Sequence, residues 1–286
     1  SKFIHYRPRT LVINNLEFDH ADIFDDLGAI QRQFHHLVRC VPGQGSIVHP
    51  RGVTAIDEVL AMGCWTPCSD LGIEDNDASW RAELINKDGT AFQVHSPQHA
   101  SVLVEWNHCG LHNVENGLAA MAAVHHVGIA PAVAAEAMSV FRGVKRRLEL
   151  LGTVADIRVY DDFAHHPTAI ASTLEGLRAG EIQGRILTLI EPRSNTMRMG
   201  EHRKQLAQAT KAADRVFWFQ PSGMDWSLER VISESPVQAT LSDNIDSLVQ
   251  EVAAEAECGD TIVIMSNGSF GGIHQKLLKQ LEVMNA

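Results

Sequence analysis

A repeated strand-then-helix order constrains the fold of this chain more than any other feature of its sequence. In the second half, Val154–Tyr160 reads as a strand and Thr168–Arg178 as a helix. Arg185–Ile190 with Arg203–Ala212 repeats the pair, as does Arg215–Phe219 with Ile245–Ala256. Thr261–Met265 is followed by a closing helix from Gly272 to Val283. The strands are marked by short apolar runs rich in β-branched residues, the helices by apolar residues three and four positions apart. This order predicts an α/β fold with a doubly wound, mostly parallel sheet of Rossmann type, which binds ligands at the carboxyl ends of its strands.

The first half is less regular but of the same class. Thr10–Asn14 reads as a strand. Asp22–Val38 carries a helical stripe at Ile23, Leu27, Ile30, Phe34 and Leu37. Ser46–Val48 is a short strand and Ile56–Met62 a helix. Arg81–Asn86 and Thr90–His95 flank Lys87-Asp88-Gly89, a hairpin with an Asp-Gly tip. Ser101–Trp106 is a further strand. Helices are expected over Asn113–Val127 and, opened by a proline in its first turn, from Pro131 to about Phe141. A chain of 286 residues can build two cores. The break is expected near Leu150-Leu151-Gly152, giving units 1–150 and 151–286, with Leu150–Thr153 as hinge. Only nine residues precede the first strand, so the chain is expected to belong to something longer.

Composition narrows the partners. The formal charge of −11 argues against nucleic acid, which needs a basic face. No apolar run reaches the length of a membrane span, so no membrane insertion is expected. Five scattered cysteines, an odd number, fit a reducing cytoplasm better than a disulfide framework. Nothing in the sequence sets the oligomeric state.

Six segments hold residues suited to chemistry. Asn15-Leu16-Glu17-Phe18-Asp19-His20-Ala21-Asp22 places carboxylates and an imidazole after the first strand. They could orient a divalent cation and phosphates, or Asp19 or Asp22 could cap the next helix. In Leu111-His112-Asn113-Val114-Glu115-Asn116, an amide could read an adenine edge or cap a helix. Arg142, Lys145, Arg146 and Arg147 could neutralise phosphate or lie on the surface. Asp161-Asp162-Phe163-Ala164-His165-His166-Pro167 lies between strand and helix. There an Asp can accept ribose hydroxyls and a His can contact a carboxylate or phosphate. Zinc fits less well, since adjacent histidines rarely share one ion. Arg193 and Arg198 follow the next strand and suit bidentate pairing with carboxylates. Ser266–Gly272 is glycine-rich without the lysine of a phosphate loop, and reads as a tight turn. Cys64-Trp65-Thr66-Pro67-Cys68 lacks the second cysteine pair of a zinc site.

In order and spacing these segments resemble the Mur ligase family. Asn15–Asp22 resembles its N-x-E-x-D-H-x-D segment, His112-Asn113 with Asn116 its H-N-x-x-N segment, and Arg146-Arg147-Leu148-Glu149 its R-R-x-E turn. Asp161–Pro167 is similar to the D-D-[YF]-[AG]-H-H-P motif of the muramate-binding members. The resemblance implies ATP and Mg2+ as cofactors and an amide bond made through an acyl phosphate. It implies that His20 ligates magnesium, Asn113 faces adenine, Arg147 contacts nucleotide phosphate and Asp162 holds the ribose. His165, Arg193 and Arg198 would face the incoming peptide or its amine. Glu191-Pro192-Arg193-Ser194-Asn195-Thr196-Met197-Arg198 resembles the member that joins a salvaged murein tripeptide to UDP-N-acetylmuramate, with the L-alanine-adding member as alternative. Phe163 stands where that alternative often has Tyr. A non-catalytic nucleotide- or peptide-binding module is the rival of another class. The family's phosphate loop and UDP-binding N-terminal domain have no counterpart here, so these residues alone are expected not to turn over ATP.

Overall fold

A computed structural model describes residues 2–180, 182, 184–224 and 226–285. The chain divides into two compact units, Ser1–Arg142 and Gly143–Ala286.

The first unit is built on a six-stranded sheet in sequence order: β1 Thr10–Val12, β2 Ser46–Pro50, β3 Cys68–Ile73, β4 Trp80–Leu84, β5 Ala91–His95 and β6 Val102–Glu105. β1 to β4 are parallel, and β5 and β6 are antiparallel additions. Helices α1 (Leu27–Val38) and α2 (Thr54–Ala61) pack with Leu11, Ile13 and Ile47, while α3 (Leu111–His126) and α4 (Pro131–Ser139) cover Val48, Trp80, Phe92 and Val104.

Two elements depart from the expected pattern. α1 starts at Leu27 rather than Asp22. Its N-cap is Asp26, whose carboxylate accepts the Ala29 N–H at 2.6 Å, so neither Asp19 nor Asp22 caps it. β3 was not expected, because Cys-Ser-Asp-Leu-Gly-Ile lacks an apolar run; it forms because parallel neighbours stand on both sides.

The second unit has strand order β11-β10-β9-β12-β8-β7. The strands are β7 Glu149–Val154, β8 Ile157–Asp162, β9 Ile186–Ile190, β10 Arg215–Phe219, β11 Gln238–Ser242 and β12 Thr261–Met265. All are parallel except β7, which pairs antiparallel with β8. The helices are α5 Pro167–Ala179, α6 Asn195–Met199, α7 Arg203–Ala209, α8 Glu229–Ser233, α9 Ile245–Glu255 and α10 Ile273–Met284. α5, α7 and α8 pack in series and α9 packs on α10, so both sheet faces are covered, as the doubly wound expectation requires.

The run expected as one strand, Val154–Tyr160, is a hairpin. Ala155 and Asp156 both take positive φ, 48° and 64°, as a two-residue turn needs. Leu150–Thr153, expected as a hinge, lies within β7. A register shift between Leu150 and Gly152 makes a bulge there, and an apolar run broken by glycine reads like a linker.

Phe217, fully buried in β10, packs with Leu187, Ile262 and the α9–α10 face. Phe217→Ala should destabilise the second unit by about 3–5 kcal/mol, read as a lowered midpoint in urea unfolding.

Candidate active site

In the first unit, the residue that precedes one motif segment meets the other at one edge of the sheet. Asn14, just beyond β1, donates from Nδ2 to Asn116 Oδ1 at 2.7 Å. Thr10, at the other end of β1, bonds His126 Nδ1 at 2.7 Å. α3 therefore runs antiparallel to β1, and its first turn lies at the carboxyl edge of the parallel strands beside the 15–22 loop. Asn113 sits in that turn. Its Nδ2 donates to the Cys109 carbonyl at 2.7 Å, and Gly110 with φ 99° is the N-cap. Asn113 is thus oriented by the helix start rather than capping it.

His20 is exposed and takes φ 57°, a left-handed conformation that histidine tolerates better than most residues. The turn is held by the Asp19 carboxylate accepting the His20 N–H at 2.7 Å, and by the His20 carbonyl accepting from Ile23 and Phe24. Magnesium demands an octahedral shell of hard oxygens. Among the described residues no three His, Cys, Asp or Glu side chains converge to hold a cation. The loop is not a preformed magnesium cage.

In the second unit, the loops following β8, β9 and β12 interlock. Arg146 donates from Nε to Asp161 at 3.1 Å, and from one terminal nitrogen to the carbonyls of Ser266 at 2.6 Å and Gly268 at 2.8 Å. His274 Nε2 lies 3.1 Å from the other Asp161 oxygen. Burial alone would raise the Asp161 pKa, but His274 and Arg146 outweigh it and hold the carboxyl below its ordinary value. The buried Glu191 accepts from the Ser266 hydroxyl at 2.5 Å. Ser266 Oγ also accepts the Gly268 N–H at 2.9 Å, so Ser266–Gly272 is the tight turn its composition suggested. A Cβ on Gly268 would stand 2.4 Å from the Arg193 side chain, so Arg193 lies directly across this loop. One of its guanidinium nitrogens is 4.0 Å from Glu191.

Asp162 is 3% exposed and both its oxygens accept from the backbone. Oδ2 accepts the Leu148 N–H at 2.7 Å and Oδ1 the Ala164 N–H at 2.8 Å. Burial raises its pKa despite these bonds. Its work in this geometry is to hold the 146–149 turn. In that turn Arg146 and Leu148 both take positive φ, 58° and 49°. Glu149 accepts the Arg146 N–H at 2.8 Å, and the Arg146 carbonyl accepts from Phe163 at 2.7 Å. Strained backbone of this kind persists only where its surroundings over-determine it. The result displays Arg147 outward, its guanidinium 5.8 Å from the Phe163 ring centroid.

The paired histidines differ in role. His165 Nδ1 lies 2.9 Å from the Phe163 carbonyl. A carbonyl only accepts, so Nδ1 carries the proton and Nε2 of the neutral ring keeps its lone pair. His166 is the N-cap of α5, its Nδ1 accepting the Thr168 N–H at 3.3 Å. Arg198 lies in α6, capped by Ser194, and donates to the Gly223 carbonyl at 2.8 Å. Arg147, His165 and Arg193 were legible as candidates, and Arg146 was read as a phosphate or surface cation; Asp161, Glu191 and Ser266 lay inside the candidate segments without roles of their own, and His274 was not singled out. Glu191 and Ser266 stand just after the parallel strands β9 and β12 and Asp161 at the end of β8, which signals them, whereas nothing in the local sequence marks His274.

The model of the Mur ligase middle domain matches residues 2–124, and that of the Mur ligase glutamate ligase domain matches residues 146–268. The chain belongs to the Mur ligase family. It is 49% identical over 283 residues to a UDP-N-acetylmuramate–L-alanyl-gamma-D-glutamyl-meso-2,6-diaminoheptandioate ligase of Escherichia coli (strain K12), covering 98% of this chain and 61% of that protein. A namesake from Haemophilus influenzae is 48% identical, with 99% and 62% covered. The chain thus spans about three-fifths of the length of these Mur ligases. A crystal structure of a murein peptide ligase from Psychrobacter arcticus 273-4 has a TM-score of 0.73 and 46% identity, covering 99% of this chain and 59% of that one. A UDP-N-acetylmuramate–alanine ligase structure from Thermotoga maritima shares the fold, with a TM-score of 0.75 at 19% identity. Among the described residues of this Mur ligase chain, no helix is long and apolar enough to cross a membrane.

The depressed Asp161 pKa has a definite sign. Its stabilisation is fully present above the unfolded-state pKa of about 3.9 and is lost as pH falls through the lower folded-state value. Asp161→Asn should therefore flatten the fall in stability below about pH 4, read from urea midpoints across the acid range. An unchanged acid limb would contradict the assignment.

Proposed function

We propose that this chain is the nucleotide- and peptide-handling part of an ATP-dependent ligase. The ligase joins the tripeptide L-Ala-γ-D-Glu-meso-diaminopimelate to the muramate carboxylate of UDP-N-acetylmuramate through an acyl phosphate, in peptidoglycan recycling in the cytoplasm. The observation that carries this reading is the edge of the second sheet. There the outward Arg147 stands on a turn held by the buried Asp162, Arg193 lies beside the buried Glu191, and His165 is oriented by the Phe163 carbonyl. The choice of amine follows the relatives. Those named for the tripeptide are 49% and 48% identical, while relatives named for L-alanine are 27–30% identical.

In this reading Arg147 stands against nucleotide phosphate, where negative charge gathers in both steps. Asn113 offers the remaining donor and acceptor of its amide to adenine. His20 would help hold the magnesium that accompanies ATP. When bound, that ion supplies charge neutralisation. The peptide's ammonium must lose a proton before it attacks. His165 Nε2 is placed to accept it, since Nδ1 is already committed to a carbonyl. His166 is the weaker candidate, because its Nδ1 caps α5. Arg193 and Arg198 pair with substrate carboxylates, each charge-assisted bond contributing roughly 1.5–3 kcal/mol. Asp162 acts through the 146–149 turn that it holds.

The test is phosphate release by the full-length protein carrying this chain, with UDP-N-acetylmuramate and competing amines. The tripeptide should be strongly preferred; preference for L-alanine would establish the other member of the family, and no coupling with any amine would establish a binding module. His165→Gln should lower kcat about 10²–10⁴-fold and leave the unfolding midpoint unchanged. Gly268→Ala should raise KM for the peptide by displacing Arg193, with little change in KM for ATP.

A further inference from the structure

Cys64 and Cys68 sit on the turn that leads into β3, with their sulfurs 3.8 Å apart. Both thiols also approach one acceptor, the Thr66 carbonyl, at 3.4 Å from Cys64 and 3.6 Å from Cys68. The turn between them is anchored on three sides. The Thr66 hydroxyl donates to the Val41 and Pro42 carbonyls at 3.0 and 3.2 Å, and the Pro67 carbonyl accepts the Ile47 N–H at 3.0 Å. Gly63, at φ 134°, lets the chain double back so that the Trp65 ring lies over its Cα, where any Cβ would clash at 2.8 Å. The two sulfurs are therefore held facing each other by the anchored turn as well as by their shared acceptor. Cys68 is exposed and Cys64 half-buried. Loss of solvent around part of the Cys68 sulfur, with Cys64 alongside, pushes that thiol up to about 12. The mutual repulsion in this shift vanishes once either sulfur is no longer an anion.

We infer that Cys64 and Cys68 form a dithiol–disulfide site that exchanges with small disulfides. One protein thiolate attacks a sulfur of the small disulfide, forming a mixed disulfide and expelling one small thiolate. The second protein thiol passes its proton to solvent and attacks the protein sulfur of that mixed disulfide, expelling the second small thiolate. Two protein thiols are oxidised and one small disulfide is reduced to two thiols. The site lies at the amino end of β3, away from the edge that carries His20 and Asn113, so the proposal does not depend on the ligase reading.

The chain, fully reduced, is incubated with oxidised glutathione and mapped by mass spectrometry. The expected result is loss of two of its five free thiols and of two hydrogen atoms in mass, with the bond located between Cys64 and Cys68. Cys64→Ser and Cys68→Ser should instead hold a lasting glutathione adduct on the remaining cysteine of the pair. A lasting adduct on wild-type Cys64 or Cys68, or five thiols still free, would overturn the proposal. The wild-type map decides the question even where a variant folds poorly.

Discussion

The second unit is organised around one guanidinium. Arg146 neutralises the buried Asp161 and fills two carbonyl groups of the loop after β12, so the turn before β7, the end of β8 and the loop after β12 are tied together by one side chain. A buried carboxylate without a partner costs several kcal/mol, and a carbonyl left without a donor costs about 1–3 kcal/mol. Those penalties make the arrangement nearly all-or-none. Glu191 and Arg193 are tied to the same loop through Ser266 and Gly268. The basic run in this sequence is thus divided, with Arg146 turned in to hold the loops together and Arg147 turned out to the surface.

The same division separates the neighbouring acids and histidines. Asp161 meets side chains whereas Asp162 meets only backbone N–H groups. His165 is set by a carbonyl and His166 by a helix start. Adjacent residues in an extended segment point to opposite sides, so tandem pairs of one type meet unlike surroundings. Four groups with two chemistries therefore occupy four roles.

Much of the fold could be read from the chain, and the errors have physical causes. β10 and β12 stand where their apolar runs placed them, because strands buried on both faces carry an unbroken signal. β3 and β11 carry polar residues along much of their length and owe their existence to neighbours rather than composition. The β7–β8 hairpin was hidden because its tip, Ala155-Asp156, lacks the glycine that normally signals such a turn. At the site, the loops were legible from their position after parallel strands. Which side chain of each pair faced outward was not, because that depends on partners such as His274, far away in sequence.

The strand order has a consequence for how the chain is made. β12, near the end of the sequence, lies between β8 and β9, which come much earlier. As the polypeptide emerges from the ribosome, the sheet has a vacant central slot flanked by apolar strands until Thr261–Met265 appears. The second unit therefore completes its core only once β12 has been made, and nascent chains cut short before β12 should be left with sticky, unsatisfied strand edges.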